Sequence, residues 1–285
     1  MIGVRLTVHI FTAVLLACLS IPAMAQDASE STLAIPAELQ PAVAAAERTG
    51  YLLQRLDRAA WLATDEFGND REARKLRKSS RGWITEPIDT GTRVSFFDAS
   101  DPPNRVYAVD VQSSGVIGNA GAATEPKFTD GQLSLIRARQ AALKQPFLAC
   151  SRDYNTVVFR DGDAIRVYVM PGTKQPGVFP AGGHHLFVYD ATGRTLQSQR
   201  DFTRSCIDLQ GAPDKPMRDG FRPVGMMITH LLDPQPTEIH VFISLNSNSP
   251  LYVGTVDNRY LWKVEKGKVS LVSDGKEDGP GTDSK

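Results

Sequence analysis

Two adjacent histidines offer the most suggestive chemistry in this sequence. Gly182 and Gly183 precede His184 and His185, and imidazole is a common general base and metal ligand. The segment is predicted to open a strand, on which neighbouring side chains point to opposite faces. The two rings are therefore not expected to chelate one metal ion together. The simpler interpretation is a glycine-rich turn into a strand, and His184 and His185 remain candidates for a catalytic role.

Glu238 and His240 form a second candidate site, for metal binding. On a predicted strand over 238–245 they are two residues apart, so carboxylate and imidazole would share one face and could meet at Zn²⁺. A third ligand would come from His184 or His230 if the sheet brought one of them near. An exposed sheet face carrying one acid and one histidine is the commoner outcome, so no metal or other cofactor is predicted.

The cysteine count predicts a disulfide. Cys150 and Cys206 are the two cysteines that remain if the first 25 residues are removed, and an even pair in an oxidising compartment favours one bridge. They lie 56 positions apart, and closing such a loop stabilises the fold by about 4 kcal/mol. In the alternative, Cys150 is a nucleophilic thiolate beside His184 or His185. That would leave Cys206 unused and would lack the usual helix N-terminus at the cysteine.

A run of positive charges between residues 71 and 81 is the main electrostatic feature. Only Glu72 opposes it within the run, and Trp83 follows as a surface for stacking. Such a run could hold phosphate or an acidic polymer, such as lipid headgroups or cell-envelope polymer. The alternative is a solvated face that neighbouring acids offset. The predicted anion-binding residues are Arg71, Arg74, Lys75, Arg77, Lys78 and Arg81.

The first 25 residues have the pattern of a secretory signal peptide. Arg5, an apolar run over about 6–19 and an Ala-Met-Ala cleavage motif precede Gln26. The apolar run is short for a bilayer span, which needs about 20 residues. The mature chain is therefore predicted to lack a transmembrane span and to be periplasmic or secreted. In the alternative, residues 15–18 are a lipoprotein box, and the protein is lipid-anchored through Cys18.

Composition and motifs exclude several function classes. The 285 residues include 32 basic and 32 acidic side chains, so net charge gives no attraction to nucleic acid, and none is predicted as a partner. The sequence contains no P-loop, Rossmann fingerprint, HExxH motif, EF-hand loop or G-x-S-x-G elbow. No motif decides whether the chain is an enzyme.

The apolar spacing predicts a long helix over 36–66 with one buried face. Its apolar positions are Leu39, Val43, Ala46, Gly50, Leu53, Leu56, Ala60 and Ala63. Gly50 costs this helix about 1 kcal/mol relative to alanine, which a close helix crossing would offset. A second helix is predicted over 129–145, from a capping box of Thr129 and Gln132 to the stop at Pro146.

Successive hairpins after Cys150 predict an α+β fold with a mainly antiparallel sheet. We expect a signal peptide over 1–25, a disordered linker over 26–35, one domain over 36–272 and a disordered tail over 273–285. The domain has a helical portion over 36–145 and a β-rich portion over 146–272. The Pro- and Gly-rich segment 170–180 is where a ligand cleft is expected.

Three functional hypotheses remain open from the sequence. The first is a non-catalytic binding or accessory protein of the bacterial envelope or the extracellular space. The second is a metal-assisted or Cys/His hydrolase of cell-envelope material, centred on His184, His185, Glu238 and His240. The third is a structural or inhibitory protein whose long helix docks on another chain.

Overall fold

One long helix, α1 (Gln40–Asn69), organises the fold. In the computed structural model, which describes residues 32–173, 175–211, 224–247 and 249–276, α1 contacts all three of the larger sheets and a later helix. Every apolar position predicted for it is buried except Leu39, which lies at its N-cap. The predicted helix and its buried face are therefore confirmed, and the helix ends three residues beyond Glu66.

The first sheet is an antiparallel meander that follows α1 and the short helix α2 (Arg74–Ser79). Its strands, in sheet order, are β1 (Gly82–Ile88), β2 (Gly91–Phe97), β3 (Arg105–Gln112) and β4 (Ile117–Ala122). The helix α3 (Asp130–Ala142) follows, and it begins with the predicted capping box, in which the Thr129 side chain accepts from the Gln132 N–H. The whole sheet lies within 36–145, the N-terminal portion of the predicted domain.

The second sheet contains two of the predicted hairpins. Its order is β5-β6-β8-β9, all antiparallel, and a two-stranded sheet pairs β7 with β10 beside it. The bounds are β5 (Tyr154–Asp161), β6 (Ala164–Pro171), β7 (Val178–Pro180), β8 (His185–Asp190), β9 (Leu196–Asp201) and β10 (Asp208–Gln210).

The third sheet corrects one prediction. Residues 238–245 were predicted as a strand, but they belong to a helix, α4 (Glu238–Ser247). This helix connects two parallel strands, and a parallel pair needs such a crossover. The run Ile-His-Val-Phe-Ile is largely buried all round, and the periodicity of a short apolar run does not distinguish helix from strand. The sheet order is β11 (Met226–His230), β12 (Leu251–Thr255), β13 (Leu261–Glu265) and β14 (Lys268–Ser273).

The hydrophobic core has three parts, and α1 contributes to two of them. Its first half, including Leu53, packs with α4 and the second and third sheets, whereas its second half, including Phe67, packs on the first sheet. The third part lies under α3, between the first and second sheets. The α+β class predicted from the sequence is confirmed, with separate sheets in place of a single one.

The ends of the chain are only partly described. The predicted signal peptide, residues 26–31 of the predicted linker and residues 277–285 of the predicted tail lie outside the described residues. Within the linker, the Leu33 N–H donates to the Leu271 carbonyl oxygen at 2.8 Å. None of the helices in the described ranges has the length and apolar character of a membrane span.

The crossing of α1 and α4 depends on Gly50. A Cβ atom at this position would lie 2.4 Å from Cγ1 of Val241 and 3.0 Å from the Glu238 carbonyl oxygen. Val241 is fully buried and β-branched, so its side chain has little freedom to move away. The close helix crossing expected to offset this mid-helix glycine is therefore present.

We predict that Gly50→Ala lowers the free energy of unfolding by about 1–3 kcal/mol, because overpacking at Val241 outweighs the gain in helix propensity. The matched control is Gly68→Ala in the same helix, where an added Cβ meets nothing within 4 Å. It is expected to be neutral or stabilising by up to about 1 kcal/mol. Urea unfolding of both variants checks this, and equal stabilisation by both would show that the crossing tolerates a methyl group.

Candidate functional site

A cavity of about 250 Å³ lies beside the Pro- and Gly-rich segment 170–180, where the sequence led us to expect a cleft. Several elements converge on it. α1 contributes Asp57, β5 contributes Asn155, α4 contributes Phe242 and Asn246, and His184 lies just before β8. The cavity therefore combines one of the two candidate histidines with a carboxyl group, two amides and an aromatic wall.

The glycine pair before the histidines exists because the backbone passes against the disulfide. A Cβ on Gly183 would lie 2.7 Å from Sγ of Cys150, and one on Gly182 would lie 2.2 Å from the carbonyl oxygen of Ser205. Gly183 also has φ of +82°, a conformation that other residues rarely adopt. The entry to β8 is thus held between the two segments that the disulfide joins, which fixes where the imidazoles point.

The sulfur atoms of Cys150 and Cys206 lie at disulfide distance, 2.07 Å apart. The predicted pairing is therefore the one that the structure contains. Cys150 has no free thiol in this state, so a Cys/His dyad with either neighbouring histidine has no nucleophile here.

His184 is buried, with 2% of its surface exposed, and it is only half satisfied by hydrogen bonds. Its Nε2 lies 3.0 Å from the Pro180 carbonyl oxygen. Because a carbonyl can only accept, Nε2 carries the proton and donates. Its Nδ1 has no partner among the described residues. Burial lowers the pKa of His184 to about 4, so at neutral pH the ring is uncharged and Nδ1 keeps a free lone pair.

Asp57 supplies the second perturbed group of the cavity. Burial raises its pKa to about 6, although the hydrogen bond from Asn155 acts in the opposite direction. That bond runs from Asn155 Nδ2 to Asp57 Oδ1 at 3.3 Å. Perturbed histidine and carboxyl groups in one concave pocket are typical of functional sites.

His185 is occupied by structural contacts. Its Nδ1 lies 2.6 Å from Oδ1 of Asp201, its Nε2 lies 3.1 Å from the Leu148 carbonyl oxygen, and Phe147 packs on its ring. The ring therefore ties β8 to β9 and to the segment before the disulfide. His184 lies just before β8, and the structure gives the two adjacent histidines different surroundings.

Glu238 and His240 do not share a face, because they lie on a helix and successive residues turn by about 100°. Oε1 of Glu238 accepts from the Tyr168 hydroxyl at 2.8 Å. Nδ1 of His240 accepts from the Thr237 N–H at 2.9 Å, and burial lowers the pKa of His240 to about 3. Across the described ranges, no three His, Cys, Asp or Glu side chains are grouped so that they could hold a metal ion.

The basic run divides into structural and exposed members. Arg77 donates to the Phe67 carbonyl oxygen at the end of α1, and Arg81 donates to the Ser80 carbonyl oxygen at the end of α2. Trp83 is half-buried, with the Arg139 guanidinium 5.1 Å from its ring centroid. Arg71, Arg74, Lys75, Lys78 and Arg81 are exposed and Arg77 is half-buried, and anion binding stays a prediction for the run.

Sequence reasoning did not include Asp57, Asn155, Phe242 or Asn246 in any site. Asp57 directly follows the buried position Leu56 on α1. An acid beside an apolar stripe is the one sequence signal that could have marked Asp57 as a site residue. The others reach the cavity through sheet order and through a helix that was predicted as a strand. No family model matches the chain, and no curated protein or solved structure is significantly similar to it.

We predict that Asp57→Asn raises the free energy of unfolding by about 1–3 kcal/mol at about pH 8 and has little effect near pH 4. Burial raises the pKa from 3.8 to about 6. The folded protein therefore keeps a proton that the unfolded chain releases, and stability is lost as pH rises through about 6. Asparagine cannot ionise and avoids this loss.

The control is Asp65→Asn, at an exposed position of the same helix. Urea unfolding of the wild type and both variants at the two pH values makes the comparison. An Asp57→Asn effect of the same size at both pH values would contradict a carboxyl group whose pKa is raised in the folded protein.

Proposed function

We propose that this protein is exported and acts by binding a small sugar-like ligand in the cavity at His184, without catalysing a reaction on it. The observation that carries the proposal is the unpartnered Nδ1 of this buried ring. A buried polar atom that lacks a hydrogen bond costs about 1–3 kcal/mol. Nδ1 itself has almost no accessible surface, so a ligand donor would remove that cost by reaching Nδ1 through a local movement of the cavity wall.

The polar groups of the cavity define which ligand fits. His184 Nδ1 can only accept, and the ionised Asp57 carboxylate can only accept. Asn155 and Asn246 add amide groups at the rim, both exposed. A complementary ligand therefore carries several O–H or N–H donors, and above about pH 6 an amino group would be favoured next to Asp57.

The apolar groups limit the ligand further. Met170, Phe179, Phe242 and Ile243 also line the cavity, and two of them are aromatic. A sugar ring presents hydroxyl groups at its edge and C–H groups on its faces, which suits acceptors on one side and aromatic surface on another. The volume of about 250 Å³ is below the usual range for drug-sized ligands, which begins at about 300 Å³. We therefore favour a monosaccharide unit.

Structural use of the other candidate groups supports binding over catalysis. Cys150 is in the disulfide, and His185, Glu238 and His240 each have a structural hydrogen-bond partner. Export is supported by the signal pattern of the first 25 residues together with the cysteine pair at disulfide distance. The expected setting is the periplasm or the cell exterior.

Calorimetric titration with D-glucose and D-glucosamine tests the proposal. We predict binding with one site per chain, tighter for glucosamine above about pH 6 because its ammonium group faces Asp57. Asp57→Asn is expected to weaken glucosamine binding by about tenfold or more, as loss of a charged hydrogen bond costs about 1.5–3 kcal/mol. Its effect on glucose should be smaller.

Asn246→Ala removes a rim group, and Asn119→Ala on the exposed surface of β4 is the matched control. The control should bind both sugars as the wild type does. The site would be ruled out if neither glucose nor glucosamine bound. It would also be ruled out if Asn119→Ala changed the affinity as much as the cavity variants do.

A further inference from the structure

A second and larger depression, a cleft of about 500 Å³, opens between α1, the β5–β6 hairpin and the segment 233–238 that leads into α4. It shares no lining residue with the cavity at His184. Guanidinium groups dominate its polar surface, and they belong to Arg48, Arg160, Arg166 and Arg200.

Two of the three acids of the cleft form ion pairs with its arginines. Oδ2 of Asp161 lies 2.7 Å from Nε of Arg166. Oδ2 of Asp233 lies 2.7 Å from Nη2 of Arg200 and also contacts His230. Glu238, the third acid of the lining, accepts from the Tyr168 hydroxyl. The Tyr168 hydroxyl is neutral, so Glu238 keeps its negative charge, and the four arginines of the lining exceed its three acids by one positive charge.

Two arginines of the cleft have no ion-pair partner among the described residues. Within the described ranges, no carboxylate lies at ion-pair distance from Arg48 or Arg160. Arg48 is exposed, and Arg160 donates only to neutral oxygen atoms, such as the Ser134 hydroxyl and the Ala191 carbonyl. Both residues line the cleft, where a low-dielectric wall strengthens the field of the net positive charge.

Arg166 adds hydrogen-bonding capacity to this surface. Its Nε is close to Asp161 but poorly aligned with it, so that the contact is an ion pair without a proper hydrogen bond. A guanidinium group has five N–H donors in a planar fork that matches the two oxygens of a carboxylate or phosphate. The cleft thus offers donors and net positive charge together.

We propose that this cleft binds a small molecule through an oxyanion group, a phosphate or a carboxylate, held by Arg48 and Arg166 with support from Arg160. The site is independent of the sugar site proposed above, since the two share no residue. The cleft would recognise its ligand by negative charge and by bidentate geometry, whereas the cavity at His184 would select a ligand that carries hydrogen-bond donors.

Calorimetric titration of the folded protein with inorganic phosphate, and separately with acetate, tests the cleft at an ionic strength matched with chloride. We expect one site for at least one of the two oxyanions, with affinity that falls as salt is added. Binding of phosphate alone, or of acetate alone, would identify the oxyanion group that the cleft prefers. Arg48→Gln and Arg166→Gln are each expected to weaken binding by about tenfold.

Two further variants make the test sharper. Asp161→Asn removes a competing carboxylate and should strengthen oxyanion binding several-fold. Arg58→Gln is the matched control, since it removes an exposed cation from the same helix as Arg48, outside the cleft. Circular dichroism checks that every variant folds. No binding of either oxyanion, or equal weakening by Arg58→Gln and Arg48→Gln, would overturn the proposal.

Discussion

The close packing of Gly183 against Cys150 is the contact on which the geometry of the candidate site depends. The disulfide joins the segment before β5 to the segment before β10, and the backbone that enters β8 passes between them. Only glycine fits there, since a Cβ would lie 2.7 Å from the Cys150 sulfur. The next two residues are the histidines, so their rings take positions set by a covalent cross-link. This gives the cysteines a role beyond stabilising the chain.

Between about pH 4 and pH 6, burial leaves His184 and Asp57 in protonation states that water alone would not favour. His184 stays neutral because burial lowers its pKa, and Asp57 holds its proton to a higher pH because burial raises its pKa. The histidine contributes stability above about pH 6.5 that is lost as pH falls, whereas the carboxyl group contributes stability at low pH that is lost as pH rises. Groups with pKa values perturbed in this way cluster at functional sites.

The sequence was a good guide wherever the signal was local. The apolar spacing located the buried face of α1, the Thr129 capping box located α3, and the cysteine count indicated the disulfide. It misled at α4, because a short apolar run that is buried all round has no distinct period. The site shows the same division: the glycines and His184 were recognisable, whereas Asp57 comes from a helix more than a hundred residues earlier. Only the tertiary packing brings it to the ring.

Nitrogen NMR of the His184 imidazole, assigned with a His184→Gln variant, tests the central claim most directly. The account predicts a neutral ring with its proton on Nε2, and this state should persist as pH falls until about pH 4. In the ligand-free protein, the Nδ1 atom of His184 should show no hydrogen bond. A ring that takes up a proton near pH 6.5, or one with its proton on Nδ1, would contradict the proposed site.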